Sequence, residues 1–330
     1  MRLKIETSDK AKYYEKEEID VTPIREIAQE VLSEVSRVIV GYGEILQQLF
    51  IALLVNGHVL LEGVPGLGKT VMAKTFSNTL GITFRRVQFT PDLLPADITG
   101  TKIFDQNEGA FVLQKGPIFS NVVLADEINR SAPKTQAALL EAMAERQVTI
   151  EGQTLPLEKP FIVIATENPV EMEGTYPLPE AQVDRFLFKL WLDYPEDTEE
   201  VEIMRRQLSG ELPSVEAITS GEEILAAQKI MNLVYIDDRI LKYIRDLIIK
   251  TRNHPQIALG CGPRASLTLM KCAKARAAIL GRSYVTPDDV RALIVPALNH
   301  RILLKPEAEL EGLDTKSVLK LIVEEIPVPI

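Results

Sequence analysis

One stretch, residues 58–70 with the sequence HVLLEGVPGLGKT, restricts what this chain can fold into more than any other. Val59, Leu60 and Leu61 read as a short buried strand, and the glycine-rich turn after them ends in a lysine and a threonine. Gly63, Gly68, Lys69 and Thr70 satisfy G-x-x-x-x-G-K-[ST]. In that spacing glycines let successive backbone N–H groups turn inward around phosphate oxygens, while the helix that follows offers its positive end. Pro65, Gly66 and Leu67 fill the turn. Val71 continues into a helix whose apolar positions, Met72, Ala73 and Phe76, run to a stop at Gly81. Chance supplies the pattern in roughly one chain in a hundred of this length. With strand, loop and helix in the required order, the stretch reads as a nucleotide-phosphate cradle; the competing reading is a glycine-rich turn that holds nothing.

The segments on either side extend this into an α/β unit. Thr22 reads as an N-cap with Pro23 at the first helical position, and Ile24, Ile27, Val31, Val35 and Val38 form an apolar stripe up to Gly41. A second helix is expected over 44–56, with Gly57 as its stop. After the loop helix, strands are expected over 83–89, 122–125, 161–166 and 186–192, which with the first makes five. Two hairpins are expected, one around 105–109 and one around Glu151-Gly152. Beyond Pro195 the pattern turns to helices alone, with capping signatures at Ser220/Glu223 and at Thr286/Asp289. The expectation is therefore a mobile or peripheral N-terminal tail over 1–21, an α/β domain with a five-stranded parallel sheet over 22–195, and a smaller all-helical lid over 196–330.

Composition narrows the function classes. The chain has 330 residues, 46% hydrophobic and 25% charged, enough for one large core and a smaller one. No apolar run approaches a membrane helix, and MRLKIETSDK is charged where a signal peptide is apolar, so a cytoplasmic protein is expected. Cys261 and Cys272 read as reduced, buried thiols, and His58, His254 and His300 fit no metal-ligand spacing. A net charge of −10 argues against nucleic acid as a partner, whose binding depends on neutralising phosphates. Arg85-Arg86, Arg205-Arg206 and the set Lys271, Lys274, Arg276 read as solvated faces.

A phosphate loop alone implies binding; hydrolysis also needs magnesium, an oriented water and positive charge for the transition state. Lys69 is placed to reach the β and γ phosphates, and Thr70 to hold Mg²⁺ through its hydroxyl. Val122 to Ala125 run directly into Asp126-Glu127, as a buried strand does at a ligand crevice. Asp126 suits the magnesium site and Glu127 suits polarising the attacking water. Asn168 by itself is a turn-forming residue before Pro169, and Arg185 and Arg264 by themselves are surface arginines.

Six stretches change that reading. GVPGLGKT at 63–70, VVLADEINR at 122–130, ERQVTIEG at 145–152, IATENP at 164–169, PEAQVDRF at 179–186 and GPRA at 262–265 occur in the order found in AAA+ ATPases of the MoxR family, which this chain resembles. The resemblance implies a P-loop AAA+ fold that binds and hydrolyses ATP with Mg²⁺. It implies Asn168 as sensor 1, Arg185 as the arginine finger inserted into a neighbouring subunit, and Arg264 as sensor 2 of the lid. It also implies a ring, expected as a hexamer, acting as a chaperone-like remodelling or assembly factor on client proteins, often beside a partner with a von Willebrand factor A domain. A helix 2 insertion near 90–118 and a pre-sensor 1 hairpin near 147–158 would face the central channel, making Phe104 and Phe111 candidates for client contact or for simple hairpin packing. Such families often carry Gly-Gln near the adenine where this chain has Gly41-Tyr42. No guanine-reading N-K-x-D stretch is present, which favours ATP. The alternatives are an AAA+ nucleic-acid motor, disfavoured by the acidic balance, and a scaffold without turnover, disfavoured by intact Lys69, Asp126, Glu127 and Arg185.

Overall fold

The computed structural model describes residues 19–169, 174–208 and 213–329, so most of the expected tail over 1–21 lies outside the described residues. Two helices, α1 (Thr22–Ser36) and α2 (Gly43–Leu54), precede β1 (Val59–Glu62) and α3 (Lys69–Thr79). Then come β2 (Phe84–Gln88), the short α4 (Pro95–Thr99), a hairpin of β3 (Gly100–Asp105) and β4 (Ala110–Lys115), β5 (Val122–Asp126) and α5 (Pro133–Glu145). A second hairpin, β6 (Gln147–Ile150) and β7 (Gln153–Pro156), leads to β8 (Ile162–Glu167), α6 (Glu180–Val183) and β9 (Phe188–Trp191). The remainder is α7 (Asp197–Gln207), α8 (Gly221–Leu233), α9 (Asp238–Asn253), β10 (Ile257–Leu259), α10 (Pro263–Ile279), α11 (Pro287–Arg291), α12 (Ile294–Leu298), β11 (Leu303–Leu304), α13 (Pro306–Leu310) and α14 (Thr315–Glu325).

The central sheet has five strands in the order β2-β5-β8-β1-β9, all parallel. Its three inner strands, β5, β8 and β1, are apolar up to their last residues because both faces are covered, and alternate residues serve different cores. Val59, Leu61, Val122, Leu124, Ile162 and Ile164 pack with α1 to α3 and with the helices that follow the sheet. Leu60, Val123, Ala125, Val163 and Ala165 pack against α5 on the other face. Each of these Val, Leu and Ile side chains contributes about 1.5–3 kcal/mol when fully buried, so the sheet's inner strands form a rigid platform. Their register brings the last residues of β1 and β8, Glu62 and Glu167, side by side, and sets Asp126 at the end of β5 opposite Gln88.

Three local expectations are corrected. Thr22 lies inside α1 rather than capping it; Val21 is the flanking residue, and the Asp20 carboxylate accepts the Thr22 N–H at 2.9 Å. The left-handed residue ending α2 is Asn56, at φ 56°, one position before Gly57. Asn tolerates that conformation, and the Gly57 N–H then reaches back to the Ala52 carbonyl. The region beyond residue 195 is not purely helical, since β10 and β11 pair antiparallel. The two capping signatures are present as read: Ser220 Oγ accepts from the Glu223 N–H, and the fully buried Asp289 carboxylate accepts from the Thr286 N–H at 2.8 Å. Asp289 also pairs with Arg276 and Arg282, and Lys274 donates to the Asn232 carbonyl, so the basic set on α10 is partly structural rather than simply solvated.

Candidate functional site

The phosphate loop hangs between the end of β1 and the start of α3. Gly63 is required there by crowding, because a Cβ would lie 2.8 Å from the Leu192 carbonyl oxygen. Gly66 and Gly68 are required by backbone, at φ 89° and 77°, a region that L side chains rarely adopt. Pro65 is exposed and Leu67 half-buried in the turn, and Val71 lies in the first turn of α3 with its side chain largely exposed. Lys69 is half-buried, and its Nζ donates to the Gly63 carbonyl and, at 3.3 Å, to that of Glu167. Burial lowers the Lys69 pKa, opposed by the carboxylates of Asp126, Glu127 and Glu62. Thr70 Oγ1 donates to Asp126 Oδ2 at 3.4 Å. A hydroxyl and a single carboxylate, both hard oxygen donors, suit Mg²⁺, which keeps water and phosphate oxygens as its other ligands. No group of three or more His, Cys, Asp or Glu side chains that could hold a metal ion occurs among the described residues.

Asp126 and Glu127 diverge at the end of β5 because Glu127 is left-handed, at φ 56°. Holding a non-glycine residue there costs roughly 1–2 kcal/mol, offset by a shared partner: Thr166 Oγ1 accepts the Glu127 N–H at 2.8 Å and donates to Asp126 Oδ1 at 2.7 Å. The Glu127 carboxylate accepts from Gln88 Nε2 at 2.7 Å and from Arg130 Nη1 at 3.0 Å. Arg86 donates to Asp126 Oδ2 at 2.9 and 2.6 Å, which corrects its reading as part of a solvated pair. Arg86, Gln88 and Thr166 were not anticipated. Arg86 and Gln88 share one side of β2 by simple alternation, a visible signal, but which strand β2 would neighbour was not. Asn168 is buried just past the end of β8.

Gly41 and Tyr42 form the bend between α1 and α2. Tyr42 is left-handed at φ 57°, its hydroxyl donates to the Asp193 carbonyl at 2.8 Å, and a Cβ on Gly41 would meet the Glu199 carboxylate at 2.7 Å. This bend is thereby tied to α7 and to the segment leaving β9. His58 is structural, as expected: Nδ1 accepts the Val163 N–H at 3.0 Å and Nε2 donates to the Met143 carbonyl at 3.2 Å.

Arg185 and Arg264 stand elsewhere. Both line a cleft of about 540 Å³ with Asn56, Gly57, His58, Asp184 and Arg301. That cleft adjoins the N-terminal ends of β1 and β9, across the length of the sheet from the phosphate loop. Arg185 Nη1 donates to the Leu140 carbonyl at 2.7 Å, and Arg264 pairs with Asp184 at 2.8 Å. Of the expected site, Lys69, Thr70, Asp126 and Glu127 are brought together, with Asn168 at the neighbouring strand end. The two arginines form a second group. On the first hairpin, Phe104 and Phe111 face each other edge to face with ring centroids 5.4 Å apart, 54% and 69% exposed.

Comparison with known proteins agrees with this geometry. Residues 58–188 match the ATPase family associated with various cellular activities (AAA), and residues 249–322 match the AAA lid domain. A crystallised candidate ATPase from Cytophaga hutchinsonii superposes with a TM-score of 0.89 at 44% identity, covering 94% of this chain and 97% of that one. Parallel sheet, phosphate loop and helical lid together define an ATPase of the AAA+ class. Chaperone MoxR1 of Mycobacterium tuberculosis is 41% identical over 91% of this chain and 82% of its own length. Protein YeaC of Bacillus subtilis, itself uncharacterised, is 47% identical over 91% and 94%. The chain belongs to the MoxR family of AAA+ ATPases.

Proposed function

We propose that this ATPase drives a chaperone-like remodelling or assembly of partner proteins from within a ring whose active sites are shared between neighbours. The observation that carries the shared site is the separation just described. Lys69, Thr70, Asp126 and Glu127 cluster at the C-terminal ends of the strands, while Arg185 and Arg264 stand at the N-terminal ends of β1 and β9. A strand of this length spans about 13 Å at roughly 3.3 Å per residue, so one chain's arginines do not meet its own phosphates. A head-to-tail neighbour brings the two edges together, and such contacts close into rings; a hexamer is the arrangement the family resemblance suggests.

Within one site, Lys69 and the loop N–H groups bind the phosphates of ATP, and Thr70 and Asp126 would hold Mg²⁺. The ion would supply charge neutralisation for the β and γ phosphate oxygens. Glu127 takes the proton of the attacking water, with Gln88 and Thr166 fixing where its carboxylate and backbone lie, and Asn168 orients that water. Arg185 and Arg264 of the neighbour face the charge that develops on the γ-phosphate. We further propose that residues 22–195 and 196–330 act as the α/β and lid units. The chaperone reading draws on the name of the Mycobacterium relative, and a von Willebrand factor A domain partner on the family resemblance.

The test mixes two inactive variants. Arg185→Ala keeps its own phosphate loop and Lys69→Ala keeps its arginine, so mixed rings should recover part of the ATPase activity. Co-assembly without recovery would refute the shared site. Capture with a Glu127→Gln trap in the presence of ATP then identifies what the ring holds.

A further inference from the structure

The turn that carries Arg185 has an unusual need for donors. Residues 184–187 run from the four-residue α6 into β9, and their N–H groups are satisfied by the carbonyls of Glu180, Gln182 and Val183 within the turn and of His58 beside it. Their carbonyls, at the end of a helix too short to bond them, require donors from elsewhere. One side chain supplies nearly all of them. Arg301, from the segment after α12, is buried to 5% exposure. Its Nη2 donates to the carbonyls of Phe186 at 2.7 Å and Asp184 at 3.2 Å, and its Nη1 to those of Leu187 at 3.1 Å and Ala297. Its Nε donates to Asp184 Oδ1 at 2.8 Å. All five N–H donors of the guanidinium are used.

The other oxygen of the same Asp184 carboxylate accepts from Arg264. The two preceding residues add to the grip: His300 Nε2 donates to the Phe186 carbonyl at 3.1 Å and Asn299 Nδ2 to that of Lys189 at 2.9 Å. We propose that Arg301 is a positioning residue for both trans-acting arginines: it fixes the backbone on either side of Arg185, and through Asp184 it fixes the guanidinium of Arg264. The proposal rests on the reading that Arg185 and Arg264 serve a neighbour's site. It adds that the lid helices set the aim of that pair, so that a displacement of α12 in one subunit is felt as a weakened arginine in the next subunit's active site. A planar five-donor fork is needed for this. Lysine at the same place keeps the buried charge but has three donors around one nitrogen and cannot span the carbonyls of four residues and a carboxylate.

Arg301→Lys is the test variant, used as full-length chain, with melting temperature, ring mass and affinity for a fluorescent ATP analogue measured first. Its own phosphate loop is untouched, so analogue affinity should stay within about threefold of the parent while kcat falls on the order of 100-fold, the size expected for misplaced catalytic groups. The readout that a merely structural residue would not move is directional. Mixed with Lys69→Ala, whose arginines are intact, Arg301→Lys should regain activity, because its own pocket is then served by a good neighbour. Mixed with Arg185→Ala, it should restore nothing, because neither chain then offers a well-placed finger. Equal rescue in both mixtures, or an unchanged kcat, would overturn the proposal. The control mixture of Lys69→Ala with Arg185→Ala separates the two layers: if it recovers nothing, the shared site itself is wrong and this proposal goes with it. Should Arg301→Lys not assemble, Asp184→Asn, at a carboxyl 35% exposed, carries the same directional test. It should donate to Arg185→Ala neighbours detectably less well than the parent does, and full donation would overturn the link through Asp184.

Discussion

His58 offers a quantitative test of how the sheet is assembled. It is buried against Phe161, ring centroids 5.6 Å apart, and its Nδ1 must stay unprotonated to accept the Val163 N–H. Burial pushes its pKa down to about 4, with the Arg146 charge adding to the effect and the Met143 carbonyl opposing it. In the unfolded chain an ordinary histidine titrates near 6.5. Between those values the unfolded state carries a proton that the folded state refuses, so the histidine's contribution is intact above pH 6.5 and is lost as pH falls toward 4. At 1.36 kcal/mol per unit, acidification from pH 8 to pH 4 should cost about 3 kcal/mol through this residue alone. Glu167 acts in the opposite sense. Burial raises it to about 7, aided by Glu62 and opposed by Lys189, so its folded form holds a proton between the ordinary carboxylate range and pH 7, and stability is lost as pH rises through that window. The two slopes overlap, and only a difference isolates the histidine. Denaturant unfolding of the parent and of His58→Gln should be followed from pH 8 to pH 4. The variant carries a constant penalty for imperfect hydrogen bonding, yet the gap between the curves should shrink by about 3 kcal/mol on acidification. Parallel curves would refute a neutral His58 in the folded state.

Two further predictions concern the site. Lys69→Ala should weaken nucleotide binding roughly 10- to 100-fold, the loss of charge-assisted hydrogen bonds worth about 1.5–3 kcal/mol, whereas Glu127→Gln should leave binding intact and lower kcat by about 10²- to 10⁴-fold; equal losses of affinity in both would contradict the assigned roles. Arg86→Ala releases Asp126 Oδ2 from a guanidinium held at 2.6 Å, and because Arg86 is about half exposed the pair is worth no more than ~1 kcal/mol. The Mg²⁺ concentration for half-maximal activity should therefore fall by about two- to fivefold in a titration at fixed ATP, and a rise would show that Arg86 supports the ion rather than competing for it.

The alternation of strands and helices was legible because each inner strand of the sheet is a largely apolar run ending at an acidic residue, and Glu62, Asp126 and Glu167 mark those ends. The phosphate loop and Asp126-Glu127 were legible for a related reason: their chemistry depends on residues adjacent in the chain. What escaped depends on which strands become neighbours. Thr166 meets Asp126 and Glu127 only because β8 lies beside β5, and Arg86 and Gln88 reach them only because β2 takes the edge next to β5. Arg301 escaped for the same reason on a larger scale, its partners in the Arg185 turn being 114 to 117 residues away along the chain. Arg185 and Arg264 were found through a family resemblance, and nothing in their spacing announced that Asp184 would tie one to the turn of the other. The helix ends were misread by one residue at Thr22 and Asn56, where a side chain from before the helix, Asp20, and the tolerance of Asn for a left-handed backbone decided the outcome.

The sheet also sorts charge. Arg146, Arg185, Arg264, Lys271 and Arg301 gather around one cleft with only Asp184 and Glu145 among them, whereas beside the phosphate loop each of the carboxylates Glu62, Asp126 and Glu127 is matched by a cation, Lys189, Arg86 and Arg130 in turn. A chain with a net charge of −10 would repel its copies if that charge were spread evenly. Sorted in this way, the excess of positive charge around the cleft is available to attract negative charge placed on another copy's phosphate-loop rim before any surfaces touch. Nucleotide adds negative charge to the rim, so a loaded subunit should attract the next one more strongly than an empty one. We predict that association of nucleotide-loaded chains, followed by light scattering, slows steeply between about 50 and 500 mM salt as the screening length shrinks from more than 10 Å to a few ångström. An association rate indifferent to salt would show that copies find each other without this field.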